Sequence, residues 1–140
     1  MNDGETPDRA PVVLVAEDEM LLRLFAAEAL KDAGYKAITA KDAAEALEIL
    51  KTNPEVRVLF TDIQMPGPLN GVDLARKVHE RWPHVLLLIT SGNVMLGKED
   101  IPDHGHFVQK PYALRQVVEE IQSLTEEANR REANLGPQPL

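Results

Sequence analysis

The chain has 140 residues, enough for one ordinary domain, and 44 % of them are hydrophobic, enough for a packed core. Its net charge of −8, from 23 acidic and 15 basic residues, argues against a nucleic-acid-binding domain and suits a protein that attracts cations. It has no cysteine, which excludes disulfides, thiolate nucleophiles and Cys-based zinc sites.

The N-terminal segment "MNDGETPDRAP" is acidic and polar, with no signal-peptide pattern, and residues 1–10 are expected to be disordered. "VVLVA", Val12 to Ala16, reads as a first strand. Leu22, Phe25, Ala26, Ala29 and Leu30 then keep helical spacing, and Gly34 is a C-terminal stop. "YKAIT" is a weak second strand. Asp42 with Glu45 reads as a capping box, Ala43, Ala46, Leu47 and Leu50 form an apolar stripe, and Asn53-Pro54 ends that helix. "VRVLFT" is a third strand. After a Pro/Gly loop, Gly71, Leu74, Ala75, Val78 and Trp82 return to helical spacing, stopped at Trp82-Pro83. Val85 to Thr90 is a fourth strand, too short to cross a membrane, so a cytoplasmic location is the expectation. "SGNVMLGKEDIPDHG" is poor helix, interrupted by Gly97, Pro102 and Gly105. "HFVQ", His106 to Gln109, is a short fifth strand. Lys110-Pro111 opens a last helix with Leu114, Val117, Val118 and Ile121 on one face. It is expected to extend over 125–140 with a frayed end, losing its apolar stripe after Leu124.

Continuous apolar runs are strands buried on both faces, and strands separated by single helices pair in parallel through right-handed crossovers. The chain therefore reads as α/β, a doubly wound sandwich of βα units, with the fourth helix short or irregular. Ligands of such sheets bind beyond the carboxyl ends of the strands.

Glu17 and Asp18 follow the first strand, and Asp62 follows the third. Thr90 and Ser91 end the fourth, and Lys110 ends the fifth. With strand order 2-1-3-4-5, Glu17, Asp18 and Asp62 would share one pocket. Three close carboxylates repel one another, and a divalent cation with oxygen preference, Mg²⁺, offsets that repulsion. Such a metal can also neutralise charge on a transferring phosphoryl group. Lys110 would add an ammonium, Thr90 a hydroxyl donor and Asp62 a nucleophile. Each residue also has a plainer role. Asp18 or Glu19 could cap a helix, Asp62 could be a loop residue, and Thr90 suits any strand. Lys110 could be a solvated charge and Pro111 a first helical residue. The joint placement at one sheet edge separates the two readings.

The motifs "VLVAEDE", "FTDIQMPG", "LLLITSG" and "FVQKPY" together resemble the receiver domain of two-component response regulators, here over residues 11–124. The resemblance implies a flavodoxin-like fold with five strands and five helices. It implies that Asp62 takes phosphate from a phosphohistidine on a sensor histidine kinase or a histidine phosphotransfer protein. Asp18, Asp62 and the backbone carbonyl of Gln64 would ligate Mg²⁺ (or Mn²⁺), with Glu17 acting through water. Lys110 would contact the phosphoryl group, Thr90 would move to bond it, and Phe107 would swing inward. The Lys110-Pro111 bond would be cis, an isomer found in about 5–6 % of X–Pro bonds. The implied role is a signalling phosphoacceptor that catalyses its own phosphorylation and slow dephosphorylation, not a turnover enzyme. Output would be protein contact, a phosphorelay step or a phosphate sink, with homodimerisation on activation and no DNA or membrane partner. One departure stands out: "MPGPLNG" is one residue longer than the usual loop and has Asn70 in place of an acid.

Three other readings fit less well. An aspartyl-nucleophile phosphatase needs an acid two residues after Asp62, where Gln64 stands. A cofactor-binding flavodoxin-like domain needs a Gly-rich loop where this chain has acids. A receiver-like module that is never phosphorylated would not need the full set Glu17, Asp18, Asp62, Thr90 and Lys110. "HGH", His104 to His106, reads as a solvated loop rather than a metal site. Ser91 lacks a nucleophile-elbow context and reads as a pocket-edge hydroxyl.

Overall fold

The computed structural model describes residues 10–92, 101–102 and 104–134. Its elements in chain order are β1 (Val12–Ala16), α1 (Met20–Asp32), β2 (Lys36–Ala40), α2 (Ala43–Thr52), β3 (Val56–Asp62), α3 (Gly71–Arg81), β4 (Leu86–Ser91), β5 (His106–Gln109) and α4 (Leu114–Asn134). The strands form one parallel sheet in the order β2-β1-β3-β4-β5. The short or irregular helix expected between β4 and β5 falls on residues 93–100, and the frayed end on 135–140, both outside the described residues. Most of the expected disordered segment lies outside them too. Among the described residues there are four helices, so the last helix is α4.

Alternation along each strand sends side chains to two cores. Leu14, Leu59, Leu87 and Ile89 meet Ala46, Leu50, Leu74 and Val78 of α2 and α3. Val13, Val15, Val58, Phe60 and Leu88 meet Ala26, Leu30, Val117, Ile121 and Leu124 of α1 and α4. β1 and β4 are buried throughout, which is why both read as unbroken apolar runs. The edge strands β2 and β5 are only partly covered, which weakened their signal.

The helix ends show why the chain turns where it does. Gly34 adopts φ 98°, and the N–H groups of Gly34 and Tyr35 donate to Lys31 and Leu30 carbonyls at 3.0 and 2.9 Å, closing α1. Asp42 caps α2 by accepting from Glu45 N at 2.8 Å, but Glu45 reaches Lys41 N at 2.7 Å rather than Asp42 N. The capping box expected there is thus displaced by one residue. A reciprocal box forms instead at α3, between Asn70 and Asp73.

Two expectations about apolar faces need correction. Phe25, which shares the helical spacing of Leu22, Ala26, Ala29 and Leu30, is 54 % exposed, while Ala27, outside that pattern, is buried. Helical spacing shows which residues share a face, not whether anything packs on it. The stripe of α4 does not end at Leu124; Ala128 continues it, one turn further. The last turn of α4 is also tied to the sheet, because Arg57 Nη2 donates to Glu132 at 2.9 Å.

Candidate functional site

Strand register assembles the site. Asp62, the last residue of β3, pairs with Thr90 of β4. The ladder continues past the strands through Glu17 N to Ala40 O (3.0 Å), Ile63 N to Thr90 O (2.9 Å) and Lys110 N to Ser91 O (2.9 Å). Glu17, Asp62, Thr90 and Lys110 therefore keep the parity of Val15, Phe60, Leu88 and Val108, on the α1/α4 side of the sheet. Ser91 and Phe107 have the opposite parity. Phe107 is half-buried against the α2/α3 core, and Ser91 is fully buried.

Asp62 is 4 % exposed and held through both oxygens. Oδ1 accepts the Gln64 N–H at 2.9 Å, and Oδ2 accepts from Lys110 Nζ at 2.5 Å. Lys110 also lies 3.8 Å from Glu17 Oε1, and Glu17 Oε2 accepts the Glu19 N–H at 3.0 Å. Burial raises the Glu17 pKa and the neighbouring Asp62 charge adds to this; the Glu19 N–H and Lys110 oppose both. Burial alone would lower the Lys110 pKa, but its bond to Asp62 and the Glu17 charge outweigh that and raise it. The site thus holds a firmly charged ammonium among crowded carboxylates.

Glu17, Asp18 and Asp62 each offer an oxygen within 4.8 Å of the others. Their hard-oxygen chemistry fits Mg²⁺, which binds through one or two carboxylates and keeps its waters. Glu19 is the N-cap of α1 but makes no side-chain capping bond, so capping does not account for the acids. The Thr90 hydroxyl is 1 % exposed and has no hydrogen-bond partner among the described residues. An unsatisfied buried hydroxyl costs about 1–3 kcal/mol. It fits a donor that lacks its acceptor until a ligand arrives.

The surroundings fix this geometry. A Cβ at Gly71 would overlap the Asp62 carbonyl oxygen and sit 2.5 Å from Ile63 Cα, so only glycine lets α3 begin against the end of β3. Asn70, the departure in the loop, caps that helix. The Lys110-Pro111 peptide is cis. Beyond it, Leu22, Gly92, Lys110, Pro111 and Tyr112 line a groove of about 370 Å³. Tyr112 packs edge-on to Phe60, and burial, with Glu17 adding, pushes its hydroxyl pKa to about 12.

Several contacts had no sequence signal. Arg23 Nη1 donates to the Glu17 carbonyl at 2.9 Å. His106 opens β5 as expected, but its ring lies between Glu120 (2.8 Å) and Glu127 (3.0 Å) of α4. Asn70 with Asp73 was readable as a cap, since it follows the same i, i+3 pattern as Asp42 with Glu45.

Known proteins resemble this chain over most of its length. The model of the response regulator receiver domain family matches residues 13–122. The chain is 33 % identical over 115 residues to the response regulator receiver protein CpdR of Brucella abortus, covering 80 % of this chain and 94 % of that one. It is 30 % identical over 151 aligned positions to hybrid signal transduction histidine kinase K of Dictyostelium discoideum, spanning only 12 % of that protein's length. Among solved structures, a response regulator receiver protein from Sinorhizobium medicae superimposes with a TM-score of 0.75 at 29 % identity, covering 83 % of this chain and 94 % of that one.

Proposed function

The chain belongs to the response regulator receiver domain family of two-component systems, and from that membership and the pocket's geometry we propose that Asp62 accepts a phosphoryl group from a phosphohistidine. The observation that carries this is the convergence, at one sheet edge and on one face, of a doubly bonded Asp62 carboxylate, a charged Lys110 and an unpartnered Thr90 hydroxyl.

A carboxylate oxygen of Asp62 attacks phosphorus in line. The new O–P bond forms as the P–N bond to the donor imidazole breaks, and its electron pair leaves with the imidazole. Lys110 moves from Asp62 Oδ2 to a phosphoryl oxygen and keeps its proton throughout. Thr90 Oγ1 donates to another phosphoryl oxygen and so gains the acceptor it lacks. Asp18, Asp62 and the Gln64 carbonyl would hold Mg²⁺ or Mn²⁺ directly, with Glu17 acting through water. The bound cation supplies charge neutralisation for the carboxylates and the transferring group.

The donor is a sensor histidine kinase or a histidine phosphotransfer protein. Its surface must close over the pocket, and its footing is α1, which lends Leu22 to the adjoining groove and leaves Met20, Leu21, Leu24 and Phe25 each about half exposed or more. Phe107 and Thr90, on opposite faces of adjoining strands, carry the change outward. The output is contact with a protein target, a relay step or a phosphate sink, with self-association on activation, in the cytoplasm. The acceptor residue is tested by phosphorylation with phosphoramidate and Mg²⁺, borohydride trapping of the acyl phosphate and peptide mass mapping. The trapped residue is expected at Asp62; a trap at any other carboxylate contradicts the assignment.

A further inference from the structure

Arg23, on the second turn of α1, reaches back over the loop that carries two of the pocket's three carboxylates. Its Nη1 donates to the Glu17 carbonyl at 2.9 Å. That loop has few other restraints. Glu17 N is bound to Ala40 O and Glu19 N to Glu17 Oε2, each at 3.0 Å. The helix that follows adds one backbone bond, from Arg23 N to the Glu19 carbonyl at 2.9 Å, but Glu19 makes no side-chain cap and the first turn of α1 contains no acid. Electrostatics argue against an arginine here. A cation near a helix N-terminus faces the unfavourable end of the macrodipole. Beside a pocket that fits a divalent cation, its charge also opposes that cation. What Arg23 contributes to the pocket is therefore geometric.

We propose that Arg23 is a positioning residue for the acid pair: by holding the Glu17 carbonyl, it sets the spacing of the Glu17 and Asp18 carboxylates from Asp62, and with it the affinity for a divalent cation. This rests on the reading of the pocket as a Mg²⁺ site. The two roles of Arg23 have opposite signs. If its charge dominated, removing it would tighten Mg²⁺ binding. If its hydrogen bond dominates, removing it weakens binding. Lysine keeps the charge but offers a point ammonium in place of a planar fork, so it restores the bond only in part.

The test is a Mg²⁺ titration of the unphosphorylated full chain, followed through the Glu19 and Gln64 amide NMR shifts, with thermal unfolding measured in parallel. Arg23→Ala is expected to weaken Mg²⁺ binding about tenfold, as loss of partners behind metal ligands does, and Arg23→Lys by a smaller factor of about three. Affinity in Arg23→Ala equal to or tighter than wild type overturns the proposal, as does lost thermal stability with affinity unchanged. Where Arg23→Ala does not fold, Arg23→Lys decides: weaker binding supports the proposal and unchanged binding overturns it. Wild-type shifts indifferent to Mg²⁺ would overturn the pocket reading itself. Clear wild-type shifts with equal affinity in the variants would remove only the role of Arg23.

Discussion

Thr90 bears on the proposed phosphoryl transfer through what its hydroxyl lacks. Its hydroxyl is buried beside Asp62 with no partner among the described residues, an arrangement that costs stability until an acceptor arrives. Thr90→Val keeps the shape and removes the cost. It is expected to raise stability by about 1–2 kcal/mol in urea denaturation. It is also expected to abolish the amide-shift changes that beryllofluoride induces outside the pocket. Lower stability together with an intact beryllofluoride response would contradict this role. Thr90, Asp62 and Lys110 were legible because each is a polar residue that ends an apolar run. Arg23 was not, because one arginine among helical residues looks like any solvated charge, and its target is a backbone carbonyl that no side-chain pattern marks. Ser91, one residue further along β4, has the opposite strand parity.

At the scale of elements, β5 and α4 are joined by a contact that periodicity could not reveal. His106 lies between Glu120 and Glu127, 14 and 21 residues further along the chain. Burial alone would lower the His106 pKa, but the two carboxylates outweigh it and raise it above the ordinary 6.5. A raised folded-state pKa stabilises fully below the unfolded value and is lost as pH rises through the folded one. The stability gap between wild type and His106→Gln is therefore expected to be wider near pH 5.5 than near pH 8.5. The side chains of Glu120 and Glu127 are 36 % and 38 % exposed, so the difference should be no more than about 1 kcal/mol. Urea midpoints at the two pH values check it, and a gap that widens with rising pH would contradict it. The exposed face of α1 makes a separate prediction. Leu24→Asp with Phe25→Asp should leave stability within about 0.5 kcal/mol, as surface changes do. Phosphorylation by a small donor should be unchanged, while transfer from a phosphohistidine protein slows about tenfold or more. Equal rates from the protein donor would remove that face from the donor's footprint. The sequence showed that Phe25 shares a helical face with buried residues; only packing shows that this part of the face is bare.

Across the whole molecule, parallel strands and single-helix connections bring every strand's carboxyl end to one edge. Four polar side chains from four strands therefore meet on one face. That convergence was legible because each polar residue closes an apolar run; the strand order that sets the runs side by side was a condition of the reading, not something the runs themselves carry. The longer loop "PGPLNG" was read as the main departure near the acceptor. Its far end is conservative in structure, since Asn70 caps α3 and Gly71 lets that helix start against Asp62. Side-chain pairs between distant elements were the part hidden from the sequence, since spacing along the chain carries no trace of them. The central claim is that Asp62 takes a phosphoryl group in a Mg²⁺-dependent reaction. Intact mass after incubation with phosphoramidate tests it most directly, for wild type and Asp62→Asn, each with Mg²⁺ and with EDTA. The account predicts a gain of one phosphoryl group in wild type with Mg²⁺ alone. The same gain in Asp62→Asn, or in wild type with EDTA, would contradict it.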